Sequence, residues 1–208
     1  MTTKEVRVAN AQAATATAGR YWTVPVGRAI LALIPAAVIT FNADHSAELG
    51  LLVFGGFAVL SGLFIAVMSW RTLTDANQRT LFVVQGLVGV VLGALALAFH
   101  GGGLGFFLYL VSVWAAVTGF IELYSGVRVR ARASTARDWM SMGGLTAILA
   151  LTFLLLPPHA VVSVGLLGAY FVILGVFLAI GGLSLKWAAP AVAPAAVAPA
   201  AVNESDIL

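Results

Sequence analysis

The chain has 208 residues, of which 61% are hydrophobic and only 9% are charged. Soluble domains carry about 45–50% apolar and about 25% charged residues, so this composition and the mean hydropathy of +1.03 exclude an ordinary soluble globule. Cysteine is absent, which excludes disulfides, thiolate catalysis and most structural zinc sites.

Two polar or low-complexity segments flank the apolar part of the chain. Residues 1–19 lack the apolar core of a secretory signal and are predicted to form a flexible cytoplasmic tail, with a short interfacial helix as the alternative. Residues 188–208 are rich in Ala, Val and Pro and end in an acidic tip, which predicts a disordered cytoplasmic tail. A docking peptide for a partner is the alternative for that segment.

Six apolar segments lie between the tails, each long enough to cross about 30 Å of hydrocarbon. Their predicted bounds are Tyr21–Phe41, Leu49–Trp70, Leu81–Phe99, Leu104–Ser125, Trp139–Leu156 and Ala160–Leu183. The predicted fold class is therefore an all-α membrane protein whose membrane domain, residues 20–187, contains six transmembrane helices.

The placement of the basic residues predicts the orientation of these helices. If the N-terminus is cytoplasmic, all 11 Lys and Arg residues fall on the cytoplasmic side, and the opposite turns carry Asp44 and Glu48 instead. Cytoplasmic loops of membrane proteins have this excess of Lys and Arg. We therefore expect both termini in the cytoplasm and the lipid bilayer, not nucleic acid, as the partner of the basic loops. A macromolecular partner for the loop Val127–Arg137 is the alternative.

An internal repeat divides the membrane domain into three helical hairpins, at about residues 20–71, 79–128 and 137–186. Nearly evenly spaced arginines precede the first helix of each hairpin, at Arg20, Arg79 and Arg137. A glycine follows each arginine by two helical turns, at Gly27, Gly86 and Gly144. The second helices carry matching glycines at Gly62, Gly119 and Gly175. Because small residues let helices approach closely within a membrane, these six glycines are predicted to form helix–helix contacts. A glycine-lined pore is the alternative.

The three helical hairpins, from about Arg20 to Leu185, resemble a known family, and motifs of the fourth and fifth segments carry the resemblance. The run GFIELYSGVRVR from Gly119 to Arg130 has a glycine, a glutamate three positions later and an Arg-x-Arg exit. Together with Trp139, the pair Gly143 and Gly144, and the turn at Leu156, it is similar to the HdeD family of short-repeat membrane proteins. The Ala/Pro-rich tail and the glycine-rich second turn depart from that family. The resemblance implies a bacterial inner-membrane protein without an established enzymatic activity, associated in some members with acid resistance.

Three polar residues are predicted inside the membrane near the cytoplasmic side: Arg28, Gln85 and Glu122. A charge in lipid costs several kcal/mol, so such residues usually face the bundle and find a partner. One hypothesis is a buried polar cluster with Tyr124 or Ser125 nearby. The alternative is that Arg28 extends to the headgroups and that Glu122 pairs with Arg128 or Arg130.

The three histidines of the chain, His45, His100 and His159, each fall in an outer turn. Histidine gains charge below about pH 6.5, so these turns are candidates for a pH-responsive surface. Ordinary polar turn residues are the plainer interpretation, and no spacing favours a metal site.

The sequence contains no nucleophile triad, phosphate loop or pair of catalytic carboxylates, and it predicts neither an enzyme nor a cofactor. The function expected from the resemblance is that of a non-enzymatic protein of the envelope stress response. A small transporter or channel is the second hypothesis. A third is an accessory subunit that joins a homo-oligomer or a larger membrane complex.

Overall fold

The computed structural model describes residues 22–73, 75–130 and 136–187, and those residues form six α-helices without strands. The helices are α1 (Thr23–Phe41), α2 (Ala47–Thr72), α3 (Ala76–Ala98), α4 (Gly103–Val129), α5 (Ala136–Leu155) and α6 (Ala160–Trp187). Both predicted tails lie outside the described residues, as does part of the second basic loop.

All six helices are long and apolar enough to cross a membrane. The shortest has 19 residues and the longest has 28, and at a rise of about 1.5 Å per residue even the shortest spans about 28 Å. The prediction of six membrane-spanning helices is therefore confirmed at the level of length and composition.

Polar caps extend two helices beyond the predicted apolar segments. The Ser46 side chain accepts a hydrogen bond from the Leu49 amide at 3.2 Å, so α2 begins at Ala47. Asp75 accepts from the amides of Asn77 and Gln78, so α3 begins at Ala76 rather than at Leu81. Such caps satisfy amides of the first turn that have no partner within the helix. Counting apolar residues detects the part of a helix that fits hydrocarbon and misses its polar first turn.

The helices pack most extensively in three pairs: α2 with α3, α4 with α5, and α1 with α6. The first two pairs join consecutive predicted hairpins, and the third joins the first helix of the chain to the last. Contacts between the two helices of each predicted hairpin are less extensive. The six helices therefore form a closed bundle, with fully buried phenylalanines such as Phe54, Phe107 and Phe171 in its core.

Glycines allow the backbones of two of these pairs to approach closely. A Cβ atom on Gly62 would lie 2.5 Å from the Gly86 carbonyl oxygen, and one on Gly86 would lie 2.5 Å from the Gly62 oxygen. The α4–α5 pair repeats this contact, because a Cβ on Gly119 would lie 3.0 Å from the oxygen of Gly143. Any side chain at these positions would push the helices apart.

In the α1–α6 pair the helices also contact each other at the corresponding glycine, Gly175, but the neighbouring residues differ. A Cβ on Gly175 would lie 2.6 Å from the Leu33 side chain and 3.4 Å from the Ala29 carbonyl oxygen. Ala29, Gly86 and Gly143 are evenly spaced along the chain and occupy equivalent contacts.

One of the predicted glycine contacts is wrong. A Cβ on Gly144 would meet nothing within 4 Å, because Gly143 occupies the contact with α4. The Gly27 contact, against the ring of Phe64 in α2, is between helices as predicted. The loop arginines Arg79 and Arg137 are one position farther apart than the contacting glycines of α3 and α5. That difference shifted the predicted register by one position, which in a helix moves a side chain by about 100°.

An aromatic layer fills the middle of the bundle. Phe57 and Trp114 pack edge to face with ring centroids 5.6 Å apart, and Trp114 and Tyr170 do so at 6.2 Å. These residues occupy matching places in the repeat, on α2, α4 and α6. Edge-to-face contacts are favourable for aromatic rings and leave little room between them.

Candidate functional site

A buried ion pair joins the first and fourth helices. Nη2 of Arg28 donates to Oε1 of Glu122 at 2.7 Å. The side chains are 16% and 1% exposed, respectively. Removing one partner of such a pair leaves an unpaired buried charge, which is strongly destabilising.

Gln85 on α3 completes this polar cluster. Its Nε2 donates to the same Glu122 oxygen at 3.3 Å, and its side chain is buried. The structure therefore brings together Arg28, Gln85 and Glu122 from three different helices. Glu122 pairs with Arg28 rather than with Arg128 or Arg130, which corrects the alternative assignment of both charges.

The two residues expected beside this cluster behave differently. Ser125 is fully buried on the same helix as Glu122, and its hydroxyl has no hydrogen-bond partner. Tyr124 is exposed on the outer face of α4, where its ring stacks on Phe120 with centroids 6.2 Å apart. Tyr124 is therefore not part of the cluster.

The cluster occupies equivalent positions of the repeated register. Arg28, Gln85 and Met142 are evenly spaced along the chain, on α1, α3 and α5. Glu122 lies three positions after Gly119, the glycine of α4 that contacts α5. Ile65 and Leu178 lie three positions after the corresponding glycines of α2 and α6. One layer of the bundle is therefore apolar at three of its six positions and polar at the other three, and the polar side chains contact one another.

A small cavity, called the central cavity below, adjoins this layer. Its lining includes residues that the sequence did not identify. It has a volume of about 20 Å³, and its walls include Arg28, Gln85, Ser61 and Thr118. Thr118 lies one helical turn before Glu122, and Ser61 is its counterpart in the preceding repeat, one position before the helix-contact glycine. Thr118 could have been identified in the sequence because it lies one helical turn from Glu122. Ser61 could then have been identified because it lies one repeat before Thr118.

Tyr170, which also lines this cavity, forms a second buried hydrogen bond. Its hydroxyl lies 2.9 Å from Oγ1 of Thr146. Thr146 donates its single hydroxyl hydrogen to the Met142 carbonyl, so Tyr170 must be the donor in this contact. The bond ties α6 to α5, two helices whose backbones make few contacts.

Arg28 also lines two further cavities, each of about 50 Å³. Both include Val24 and Trp139 and lie toward the end of the bundle that carries the basic loops. The Arg28 side chain therefore lines all three cavities.

The three histidines lie at the opposite end of the bundle. Nδ1 of His100 donates to the Leu97 carbonyl at 3.1 Å, and its Nε2 lies 3.6 Å from Oε1 of Glu48. Because Nδ1 carries the hydrogen, the contact with Glu48 becomes an ion pair when the ring is protonated. His45 contacts the Ala43 carbonyl, and His159 is exposed. In the part of the chain that the structure describes, no three His, Asp or Glu side chains form a group that could hold a metal ion.

Comparison with known proteins gives one match. The family described as "Short repeat of unknown function (DUF308)" matches residues 27–97 and 84–156, which together span more than half of the chain. The starts of the two matches are separated by the same interval as Arg28 and Gln85, which supports an internal repeat. No curated protein and no solved structure matches the chain. The chain therefore belongs to the DUF308 short-repeat family, and its six apolar helices are those of a multi-pass membrane protein.

Proposed function

We propose that this protein is a non-enzymatic, multi-pass plasma-membrane protein of the HdeD type that supports the bacterial envelope under acid stress. The observation that carries the proposal is the filled centre of the bundle. The aromatic layer of Phe57, Trp114 and Tyr170 occupies the axis, and the buried charges of Arg28 and Glu122 neutralise each other. The aromatic layer leaves no wide path for a large solute through this level of the bundle, which favours a scaffold over a conduit.

The membrane arrangement is part of the same proposal. Three copies of one hairpin close into a ring through the α1–α6 contact, with both termini and the basic loops in the cytoplasm. The excess of Lys and Arg at one end of the helices supports this orientation. The histidine turns then face the cell exterior, where their protonation would add charge beside Glu48.

The proposal is tested by survival of a bacterial strain that lacks this protein, compared with the strain that carries it. We expect reduced survival of the deletion strain at about pH 5, where histidine is protonated, and rescue by the parent protein. A variant with His45, His100 and His159 replaced by Gln should rescue less well. Equal survival of the deletion and parent strains would contradict the stress role, and full rescue by the triple variant would contradict a role of the histidines.

A small transporter is the second candidate, and the buried cluster is the observation that favours it. Ionisable residues within membranes often mark the pathways of ions or substrates, and Arg28 lines the central cavity and two outer ones. Purified protein in liposomes that carry a pH-sensitive dye tests this function. Proton flux that is lost in Glu122→Gln would favour the transporter over the scaffold.

A further inference from the structure

The central cavity has room for one small molecule. Its volume of about 20 Å³ exceeds the ~10–15 Å³ that a single water needs. The walls are contributed by α1, α2, α3, α4 and α6, so the cavity lies within the bundle and not on its lipid-facing surface.

Two side chains in its wall have buried polar atoms without a partner. Oε1 of Gln85 and Oγ1 of Thr118 make no hydrogen bond, although these residues are only 2% and 4% exposed. Oε2 of Glu122 also lacks a partner, and Glu122 lies one turn from Thr118 on the same face of α4. Turning the Gln85 amide over would not help, because its oxygen would then face the carboxylate of Glu122.

The hydrogen bonding of the Thr118 hydroxyl differs from that of other threonine hydroxyls in the helices of this protein. A threonine within a helix commonly donates to the carbonyl four residues earlier. Five of them do so here: Thr40, Thr72, Thr80, Thr146 and Thr152. Thr118 makes no such bond and instead lines the cavity, so its hydrogen is available to a ligand there.

We propose that one ordered water occupies this cavity and connects α3 and α4. It donates to Gln85 Oε1 and Glu122 Oε2 and accepts from the Thr118 hydroxyl. Ser61, which lines the same cavity, offers a further hydroxyl. A buried water typically makes about three hydrogen bonds, which is the number that the unpartnered atoms provide.

The charges beside the cavity favour water over a metal cation. Arg28 already supplies a positive charge to Glu122 at 2.7 Å, so a cation would face the repulsion of the guanidinium. A water provides the two donors that the Gln85 and Glu122 acceptors need, together with the acceptor that the Thr118 hydroxyl needs.

A structure of the full chain in lipid nanodiscs, at a resolution that reveals waters, tests the proposal. We expect a density peak within about 2.7–3.2 Å of both Gln85 Oε1 and Thr118 Oγ1, in sodium-containing and in sodium-free buffer alike. The peak should be absent in Thr118→Val, which keeps the shape of the side chain and removes its hydroxyl. An empty cavity in the parent protein, a peak that requires sodium, or a peak that persists in Thr118→Val would overturn the assignment.

Thermal unfolding provides a second, independent measurement. Thr118→Val should lower the unfolding midpoint, whereas Thr118→Ser, which keeps the hydroxyl, should unfold close to the parent. Thr40→Val is the matched control, because Thr40 is exposed and bonds only to its own helix. A midpoint of Thr118→Val equal to that of the parent would count against a bound water, whatever role the protein has in acid survival.

Discussion

Glu122 is held inside the bundle by two contacts that meet at one carboxylate oxygen. Arg28 supplies the opposite charge at 2.7 Å, and the Gln85 amide supplies a neutral donor at 3.3 Å. Taking two charges out of water is costly, and their mutual attraction offsets that cost only when the geometry is good and further hydrogen bonds are present. Loss of either partner is therefore costly, although the intact pair adds little net stability to the fold.

We predict that the single substitutions Arg28→Met and Glu122→Met each lower the free energy of unfolding by about 3–5 kcal/mol, because each leaves a buried charge unpaired. The double variant should lose much less than the sum of the two losses. Reversible unfolding in mixed micelles measures all three values, with Arg128→Met, an exposed arginine on α4, as the control. Losses that add in the double variant would mean that the two side chains do not interact.

The sequence identified these charges and missed the hydroxyls beside them. A charged residue within an apolar stretch is rare and must find a partner, so Arg28 and Glu122 are conspicuous. Serine and threonine are common in membrane helices and usually bond to their own backbone. Only the three-dimensional contacts distinguish Thr118, which faces the cavity, from Thr40, which faces outward.

The close approach of α2 and α3 depends on glycine at Gly62 and Gly86. Backbone atoms, and not flexible side chains, occupy the space that a Cβ would need there. Association of helices in lipid relies on such close packing, because the hydrocarbon gives no hydrophobic driving force between them.

We predict that Gly62→Ala destabilises the protein by about 1–3 kcal/mol, the usual cost of overpacking. Gly56→Ala on the same helix is the matched control, since a Cβ there would meet nothing within 4 Å and alanine favours a helix over glycine. The same unfolding assay compares the two variants. Equal effects of the two substitutions would indicate that the α2–α3 contact does not require glycine.

The positions of the helices followed from the sequence more readily than their register. Runs of apolar residues define where a helix can cross the membrane, whatever lies beside it. A shift of one position along a helix changes which glycine faces the neighbouring helix. Because the loop arginines are one position farther apart than the contacting glycines, the prediction based on them selected Gly144 instead of Gly143. The interval between Arg28 and Gln85, by contrast, equals that between the two family matches and agrees with the helix contacts.

At the scale of the whole molecule, the chain closes on itself through α1 and α6. Those helices begin and end the membrane domain, so no local pattern pairs them, yet they form one of the three most extensive contacts. Because the basic loops lie at one end of this bundle and the histidine turns at the other, the two ends lie on opposite sides of the membrane in the proposed arrangement.

Single-cysteine labelling tests this central claim most directly, because the native chain has no cysteine. Gly101→Cys probes the histidine end and Asn77→Cys the basic end, and both positions are exposed. In intact spheroplasts, a membrane-impermeant maleimide should label the cysteine at position 101. It should label the cysteine at position 77 only after the membrane is permeabilised. Labelling of position 77 in intact spheroplasts, or protection of position 101, would contradict the account.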